Sequence, residues 1–267
     1  MYAIEYQRAK SVTEAAAALA KSGGKALAGG QSLVGAMKLR LANPGTIVDL
    51  SGIAELKGIR KDGDAIVIGA LTTHAEVASS AAVKQTIPAL AALAESIGDR
   101  QVRNRGTLGG SLANNDPAAD YPAAVLALNA TVQTSKRRIA ADDFFKGMYE
   151  TALAADEIIV AVSFPIPKKA AYEKFRNPAS RFALVGVFVA QTAGKGNDAV
   201  RVAVTGAASH VHRASAIEAA LAKAFAADAA KSVKIPADRL SSDLHGSAEY
   251  RAHLVSVLAA RAVAAAG

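Results

Sequence analysis

The 267-residue chain contains no cysteine. Disulfides, cysteine-ligated zinc and iron–sulfur clusters are therefore beyond what this polypeptide can hold by itself. No apolar run approaches the roughly 20 residues that cross a bilayer. The opening MYAIEYQRAK lacks the charged-then-apolar order of a secretory leader. A cytoplasmic protein without a membrane span is expected. The five histidines are scattered at His74, His210, His212, His245 and His253. His210 and His212 would share one side of a strand, but no carboxylate motif accompanies them and no metal site is assigned. The net charge of +8 raises nucleic acid as a partner. Against that, the basic residues are dispersed and no aromatics interleave with them for base stacking. The densest run, Lys136-Arg137-Arg138, reads as a solvated turn between strands, and no nucleic-acid partner is expected.

What remains is an ordinary globular composition, half apolar and one-fifth charged, with length for one large domain or two to three small ones. Ser11-Val12-Thr13-Glu14 fits a capping box before an alanine-rich helix that ends on glycine. KALAG and TIVDLS read as strands. Between them SLVGAMKLRLA reads as a helix with Leu33, Met37 and Leu41 on one face. The first 52 residues are thus α–β–α–β, a small parallel lobe. Asp62-Gly63 marks a hairpin, Thr73-His74-Ala75-Glu76 a second capping box, and Pro88 the first turn of a helix. DRQVRNRGTLGGSLANNDPAADYP is polar, glycine-punctuated and too long for an ordinary connection. A helix (AAVLALN) and three strands (ATVQTS, RRIAADDFF, DEIIVAVSFPIP) follow, with a boundary at Pro165 and Pro167. YEKFRN, FALVGVFVAQTA and AVRVAVTGAA then form an antiparallel meander. Ser215-Ala216-Ile217-Glu218 caps a helix, and a long helix closes the chain. The architecture is α+β, with domains at 1–167 (lobes about 1–52 and 53–167) and 168–267.

Two loops share a shape: Ala28-Gly29-Gly30-Gln31-Ser32, and Gly106-Thr107-Leu108-Gly109-Gly110-Ser111. Each pairs adjacent glycines with small hydroxyl residues before a helix. Without Cβ atoms, the backbone can take positive φ and let a ligand approach its N–H groups. A helix start adds unpaired donors and partial positive charge for an anion. Neither loop has the lysine of a P-loop or the spacing G-x-G-x-x-G. Either alone reads as a turn. Together they suit a dinucleotide, with the pyrophosphate held between two jaws and Asp116 or Asp120 accepting hydrogen bonds from sugar hydroxyls.

AGGQSLVGAMKLRLANPGTIVDL and IGDRQVRNRGTLGGSLANNDPAADYPA, continued by YEKFRNPASRFALVGV and SAEYRAHLVSVLAARAV, resemble the FAD-binding medium subunit of the molybdenum hydroxylases. That family includes aerobic carbon monoxide dehydrogenase and the xanthine dehydrogenases. The resemblance spans essentially the whole chain. It implies an oxidoreductase flavoprotein with a two-lobed FAD-binding domain of the vanillyl-alcohol-oxidase (PCMH) type. A C-terminal α+β domain with a three-stranded antiparallel sheet and helices would follow. It places Ala28, Gly29, Gly30, Gln31, Ser32 and Leu33 around the pyrophosphate. Thr107, Leu108, Gly109, Gly110 and Ser111 become the second cradle. Asp120, with Asp116 beside it, holds the sugar or ribityl region. Ile97 packs near the cofactor, and Phe182 faces the isoalloxazine ring. Gln31 stands where close relatives often have histidine, Arg181 where many have aspartate, and Phe182 where some have tyrosine.

The resemblance further implies partners. A small subunit carries two [2Fe–2S] clusters, a large subunit carries the molybdenum cofactor and hydroxylates the substrate, and the assembly is a dimer of heterotrimers. Electrons reach FAD from the clusters and leave to an external acceptor. The lack of cysteine fits a chain whose electron donor lies on another polypeptide. The alternative is a stand-alone FAD-dependent oxidoreductase of the same superfamily. It would need a proton donor at the flavin; no obvious candidate stands out, and Tyr149 and Tyr172 read as packing residues.

Overall fold

The structure is a computed structural model and describes residues 1–194, 196 and 199–266. The chain starts with a three-stranded parallel sheet, β1 (Glu5–Arg8), β2 (Lys25–Leu27) and β3 (Thr46–Asp49), in the order β1-β3-β2. Parallel neighbours need helical crossovers, and helices Val12–Ser22 and Leu33–Lys38 supply them. The first is capped by Ser11, whose Oγ accepts from Glu14 N at 3.1 Å, and it ends on Gly23 at φ 63°. The box is only half made, because the Glu14 carboxylate accepts from Lys10 N instead of Ser11 N. Strand β1 was not anticipated. Its four residues are all exposed, so no alternation marks it; backbone pairing and the Tyr6 hydroxyl donating to Asp49 hold it. The second helix stops six residues in, leaving Leu41 79 % exposed and correcting its placement on Met37's buried face.

An antiparallel sheet follows in the order β4-β5-β10-β6-β7: β4 (Ile59–Asp62), β5 (Ala65–Gly69), β6 (Thr131–Thr134), β7 (Arg138–Ala140) and β10 (Ile159–Pro165). The hairpin loop is Gly63-Asp64, with Gly63 at φ 56°, the positive angle that a tight loop needs at its first position. A small hairpin, β8 (Phe145–Gly147) with β9 (Glu150–Thr151), lies between. Helix Ala141–Phe144 replaces the second half of the strand expected over RRIAADDFF. The Thr73 capping box forms with both bonds, and Pro88 opens helix Pro88–Glu95. The long polar stretch is not a loop. It contains helices Arg100–Arg105 and Leu108–Asn114, capped by Asp99 and Thr107.

The last sheet is antiparallel: β11 (Lys169–Arg176), β12 (Ala183–Gln191), β13 (Val200–Thr205) and a two-residue edge strand β14 (His212–Arg213). The expected three-stranded meander is there, extended by β14. Strand β12 is buried from Ala183 to Ala190 because both its faces are covered. Val185, Val187 and Val189 pack with Leu254, Val255 and Leu258 of the terminal helix Ala248–Ala265. Phe188 and Ala190 join the core of the middle sheet, with Val125 and Val162. Such two-sided burial reads as a continuous apolar run. Ser215 does not cap helix Ser215–Lys223: the cap position is Ala214, and Glu218 instead accepts from Val202 N and Arg213. Among the described residues no helix is long and apolar enough to cross a membrane.

Candidate cofactor-binding site

The first glycine loop turns the chain from β2 into helix Leu33–Lys38. Gly30 has φ 74°, a conformation that costs glycine little. A Cβ on Gly29 would come within 1.9 Å of the Arg105 carbonyl oxygen and 2.9 Å of Gly106 Cα. The loop thus lies directly against the end of helix Arg100–Arg105. The amides of Gly29, Gly30, Gln31 and Ser32 have no acceptor in the chain among the described residues. The Ser32 hydroxyl caps nothing, and Gln31 and Ser32 face solvent. Ala28 and Leu33 flank the turn, half-buried.

The second loop is built differently, which corrects the expectation of two matched backbone cradles. Leu108 N donates to Thr72 O at 3.1 Å, Gly109 N to Ala70 O at 2.8 Å and Ser111 N to Thr107 O at 3.0 Å. Gly110 N donates to Thr107 Oγ1 at 3.1 Å. These amides are spent inside the chain. Leu108 is wholly buried, and Gly109 is glycine because a Cβ would sit 2.6 Å from that of Ala70 on β5's extension. What this loop presents is the free O–H of Thr107 and the hydroxyl of Ser111. Gly110 sets the distance between the jaws, since its Cβ would stand 3.5 Å from that of Ala28 and 2.9 Å from Thr107 Oγ1. The two loops, remote in sequence, are one surface.

The other candidates lie on the turn at 97–98, in the loop at 177–182 and around Asp116 and Asp120. Ile97 is half-buried on the turn before helix Arg100–Arg105. That turn is clasped by Arg103, whose Nη1 donates to Ile97 O at 3.1 Å. Arg181 reaches the same turn, Nη1 to Gly98 O at 3.3 Å, and the residue after it, Phe182, is 48 % exposed. Arg181 itself has φ 62°, within a tight loop where Asn177 N donates to Phe182 O. Asp120 is buried. Its Oδ1 accepts from Tyr172 at 2.6 Å and from Lys174 Nζ at 2.9 Å, and its Oδ2 accepts from Lys174 at 3.1 Å. Asp116 is engaged locally: Oδ1 caps Ala118 N at 2.9 Å and Oδ2 accepts from Tyr149 at 3.3 Å. Tyr172 and Tyr149 are therefore both tied to carboxylates.

Three contributors were not singled out from the sequence as site residues: Lys174, Gly186 and His74. Tyr172 and Lys174 alternate along β11 and so share a face, and that period of two was the available signal. His74 packs under the second loop, its N donating to Gly106 O at 3.0 Å and its ring tilted 5.3 Å from Tyr121. Burial, helped by the charge of Arg103, lowers the His74 pKa to about 4, so the ring is neutral at pH 7. Its Nδ1 and the Tyr121 hydroxyl have no partner among the described residues. Burial raises the Asp120 carboxyl above its usual range, with Lys174 and Tyr172 pulling the other way. Burial and the Asp120 charge push the Tyr172 hydroxyl well up, so it stays a donor. Among the described residues no three His, Asp or Glu side chains gather to hold a metal ion.

A surface of unpaired amides and free hydroxyls, flanked by a half-buried aliphatic and an exposed aromatic side chain, suits a long ligand. One end of that ligand is anionic and the other a flat ring. The class is a two-lobed nucleotide-cofactor-binding protein with an appended α+β domain. Residues 2–167 match the FAD binding domain in molybdopterin dehydrogenase, and residues 170–266 the CO dehydrogenase flavoprotein C-terminal domain. The chain belongs to this family of FAD-binding molybdenum hydroxylase subunits. It is 39 % identical to the nicotine 6-hydroxylase medium subunit of Paenarthrobacter nicotinovorans, over 99 % of this chain and 98 % of that one. It is 38 % identical to the carbon monoxide dehydrogenase medium chain of Hydrogenophaga pseudoflava, over 98 % and 96 %. Among solved structures, a chain of the H. pseudoflava carbon monoxide dehydrogenase lacking the Mo-pyranopterin moiety superposes with TM-score 0.89 at 39 % identity, covering 99 % of this chain and 97 % of that one. A chain of quinoline 2-oxidoreductase from Pseudomonas putida gives 0.87 at 31 %, covering 99 % and 97 %. FAD is thus this chain's cofactor, and the loops fit it: a Cβ is excluded at Gly29, and four adjacent amides await an acceptor.

Proposed function

We propose that the chain is the electron-transfer flavoprotein of a three-subunit molybdenum hydroxylase. The observation that carries this is the apposition of the two glycine loops, with unpaired amides at 29–32, in a chain of this family. The amides of Gly29, Gly30, Gln31 and Ser32 bind the pyrophosphate, and the Ser32, Thr107 and Ser111 hydroxyls complete its shell. Asp120 retains one accepting lone pair on Oδ2 for a sugar or ribityl hydroxyl, and Asp116 shapes the turn before it. Ile97 and Phe182 flank the isoalloxazine ring, where Phe182 supplies stacking without a hydrogen bond. Bound there, FAD supplies the redox chemistry, taking electrons from [2Fe–2S] clusters and passing them to an external acceptor. With no cysteine in the chain, those clusters belong to a small partner subunit, and substrate chemistry to a large one carrying the molybdenum cofactor. The working assembly is a cytoplasmic dimer of heterotrimers. Within the chain, residues 1–167 form the FAD-binding domain, with lobes at 1–52 and 53–167, and residues 168–267 follow as a second domain.

The test is cofactor content. Purified with its partner subunits, the protein is expected to show flavin absorbance at one FAD per chain. Gly29→Ala is expected to lose it, because the new Cβ collides with the Arg105 carbonyl and parts the loops. Full FAD occupancy in Gly29→Ala would sink the assigned geometry. No FAD in the wild-type complex would sink the function.

A further inference from the structure

Lys174 and Asp120 form an ion pair with side chains 3 % and 5 % exposed. Ion pairs this buried contribute little net stability, since desolvation offsets the attraction; their use lies elsewhere. Here the pair joins the two domains: Asp120 precedes helix Tyr121–Ala127, and Lys174 lies on β11. The three donors of the Lys174 ammonium are all used, two on the carboxylate and one on Ser96 O at 3.3 Å. Ser96 adjoins Ile97, so one ammonium ties the acid to the turn beside the ring site. Tyr172 adds the third bond to the carboxylate. Its ring lies 6.0 Å from Phe188 at 28°, which fixes its direction.

Strand β12 is shaped for this. Gly186 pairs directly opposite Lys174 and interrupts an otherwise apolar run. A Cβ on Gly186 would stand 2.3 Å from the Tyr172 hydroxyl and 2.9 Å from Thr205 Cγ2. Glycine there has no turn to make; it leaves room for the tyrosine hydroxyl to reach Asp120.

We infer that Tyr172, Lys174 and Gly186 form a clamp by which the C-terminal domain positions Asp120 for the cofactor. These are positioning residues, and the inference rests on the reading of Asp120 as an FAD ligand. With one bond on Oδ2 left to make, a carboxylate fixed at three points offers its last lone pair in one direction, and FAD affinity depends on a domain that need not touch FAD.

The test measures FAD dissociation from the full chain in its native complex, by recovery of flavin fluorescence on release. Tyr172→Phe keeps the ring packed and removes one hydrogen bond. Gly186→Ala keeps every bonding group and displaces the hydroxyl. Each is expected to weaken FAD binding about tenfold. In an Asp120→Asn background both are expected to add less than about twofold, since coupled residues are not additive. A merely structural defect would show equally in both backgrounds. If Asp120→Asn does not fold beside an unpaired lysine, Asp120→Asn/Lys174→Met serves as the background. Equal effects in both backgrounds, or wild-type affinity in Tyr172→Phe and Gly186→Ala, would overturn the clamp. Wild-type affinity in the Asp120 background variant alongside FAD loss in Gly29→Ala would overturn the clamp and spare the cofactor site.

Discussion

At His74 the second glycine loop rests on a neutral ring. Its pKa of about 4 lies below the ordinary 6.5 because burial, aided by Arg103, disfavours the cation. The unfolded chain therefore binds a proton at a pH where the folded chain does not. The sign follows: stability falls as pH drops through 6.5 and continues to fall towards pH 4. Between pH 7 and pH 5 the loss is about 2 kcal/mol. Thermal melts at the two pH values should show it, and His74→Leu should flatten the dependence. An equally steep dependence in the variant would assign the acid sensitivity to other groups. Glu157 is a second acid-sensitive contributor. Its pKa of about 2 comes from Arg137, Ala154 N and Thr134, which outweigh burial. Its stabilisation is present above the ordinary carboxylate range and is lost only towards pH 2, so it does not confuse the pH 7 to 5 comparison. His74 was legible in the sequence only as part of a capping box. Nothing local marks a histidine as buried when the glycine that presses on it, Gly106, lies far along the chain.

Among the elements, the short helix Leu108–Asn114 does the most for the site, and one residue starts it. Thr107 is buried and accepts from Gly110 N, and in the proposed site its own O–H goes to the cofactor. Thr107→Val preserves shape and β-branching while deleting both roles. It is expected to cost about 1 kcal/mol of stability, as lost caps do, and to lower FAD occupancy as well. Melting temperature and flavin absorbance measure the two effects separately; unchanged occupancy would mean that Thr107 only caps. Elements with strong local chemistry were readable: Pro88 at a helix start, Gly63 in the hairpin, the glycine pairs before helices. The unreadable ones lacked it. Strand β1 is an exposed edge with no apolar alternation. The helix after the first glycine loop ended before its apolar pattern did, leaving Leu39 and Leu41 exposed. The polar stretch around GTLGG hid two helices because their stability comes from Asp99 and Thr107 caps and from packing, not from an apolar face. The glycine loops were visible one at a time. Their contact, Gly29 on Arg105 and Gly110 on Ala28, is a tertiary fact.

Across the whole molecule, the two family-matched segments share a core and do not merely adjoin. Phe188, Ala190 and Ala203 of the last sheet share a core with Val125 of helix Tyr121–Ala127 and Val162 of the middle sheet. Arg201 is wholly buried, its Nε donating to Leu126 O at 2.9 Å and its Nη2 to Asp142 at 2.5 Å. Thr205 Oγ1 lies 2.7 Å from Ala119 O, and Gly206 N donates to Pro117 O at 2.8 Å, fastening the turn that carries Asp120. Interfaces between ordinary domains allow relative motion; this one has an apolar centre and is interlocked by buried polar bonds. The chain is therefore expected to unfold in one cooperative transition, with FAD released in that same transition. Phe188→Ala opens a cavity at the shared core and is expected to cost about 3–5 kcal/mol. Because the core is common, that single truncation lowers the stability of both segments and moves the unfolding and FAD-release curves together. Calorimetry with parallel flavin fluorescence decides the matter. Two separate transitions, of which Phe188→Ala shifts only the one that keeps its FAD silent, would show independent domains and remove the structural basis for any control of Asp120 by β11.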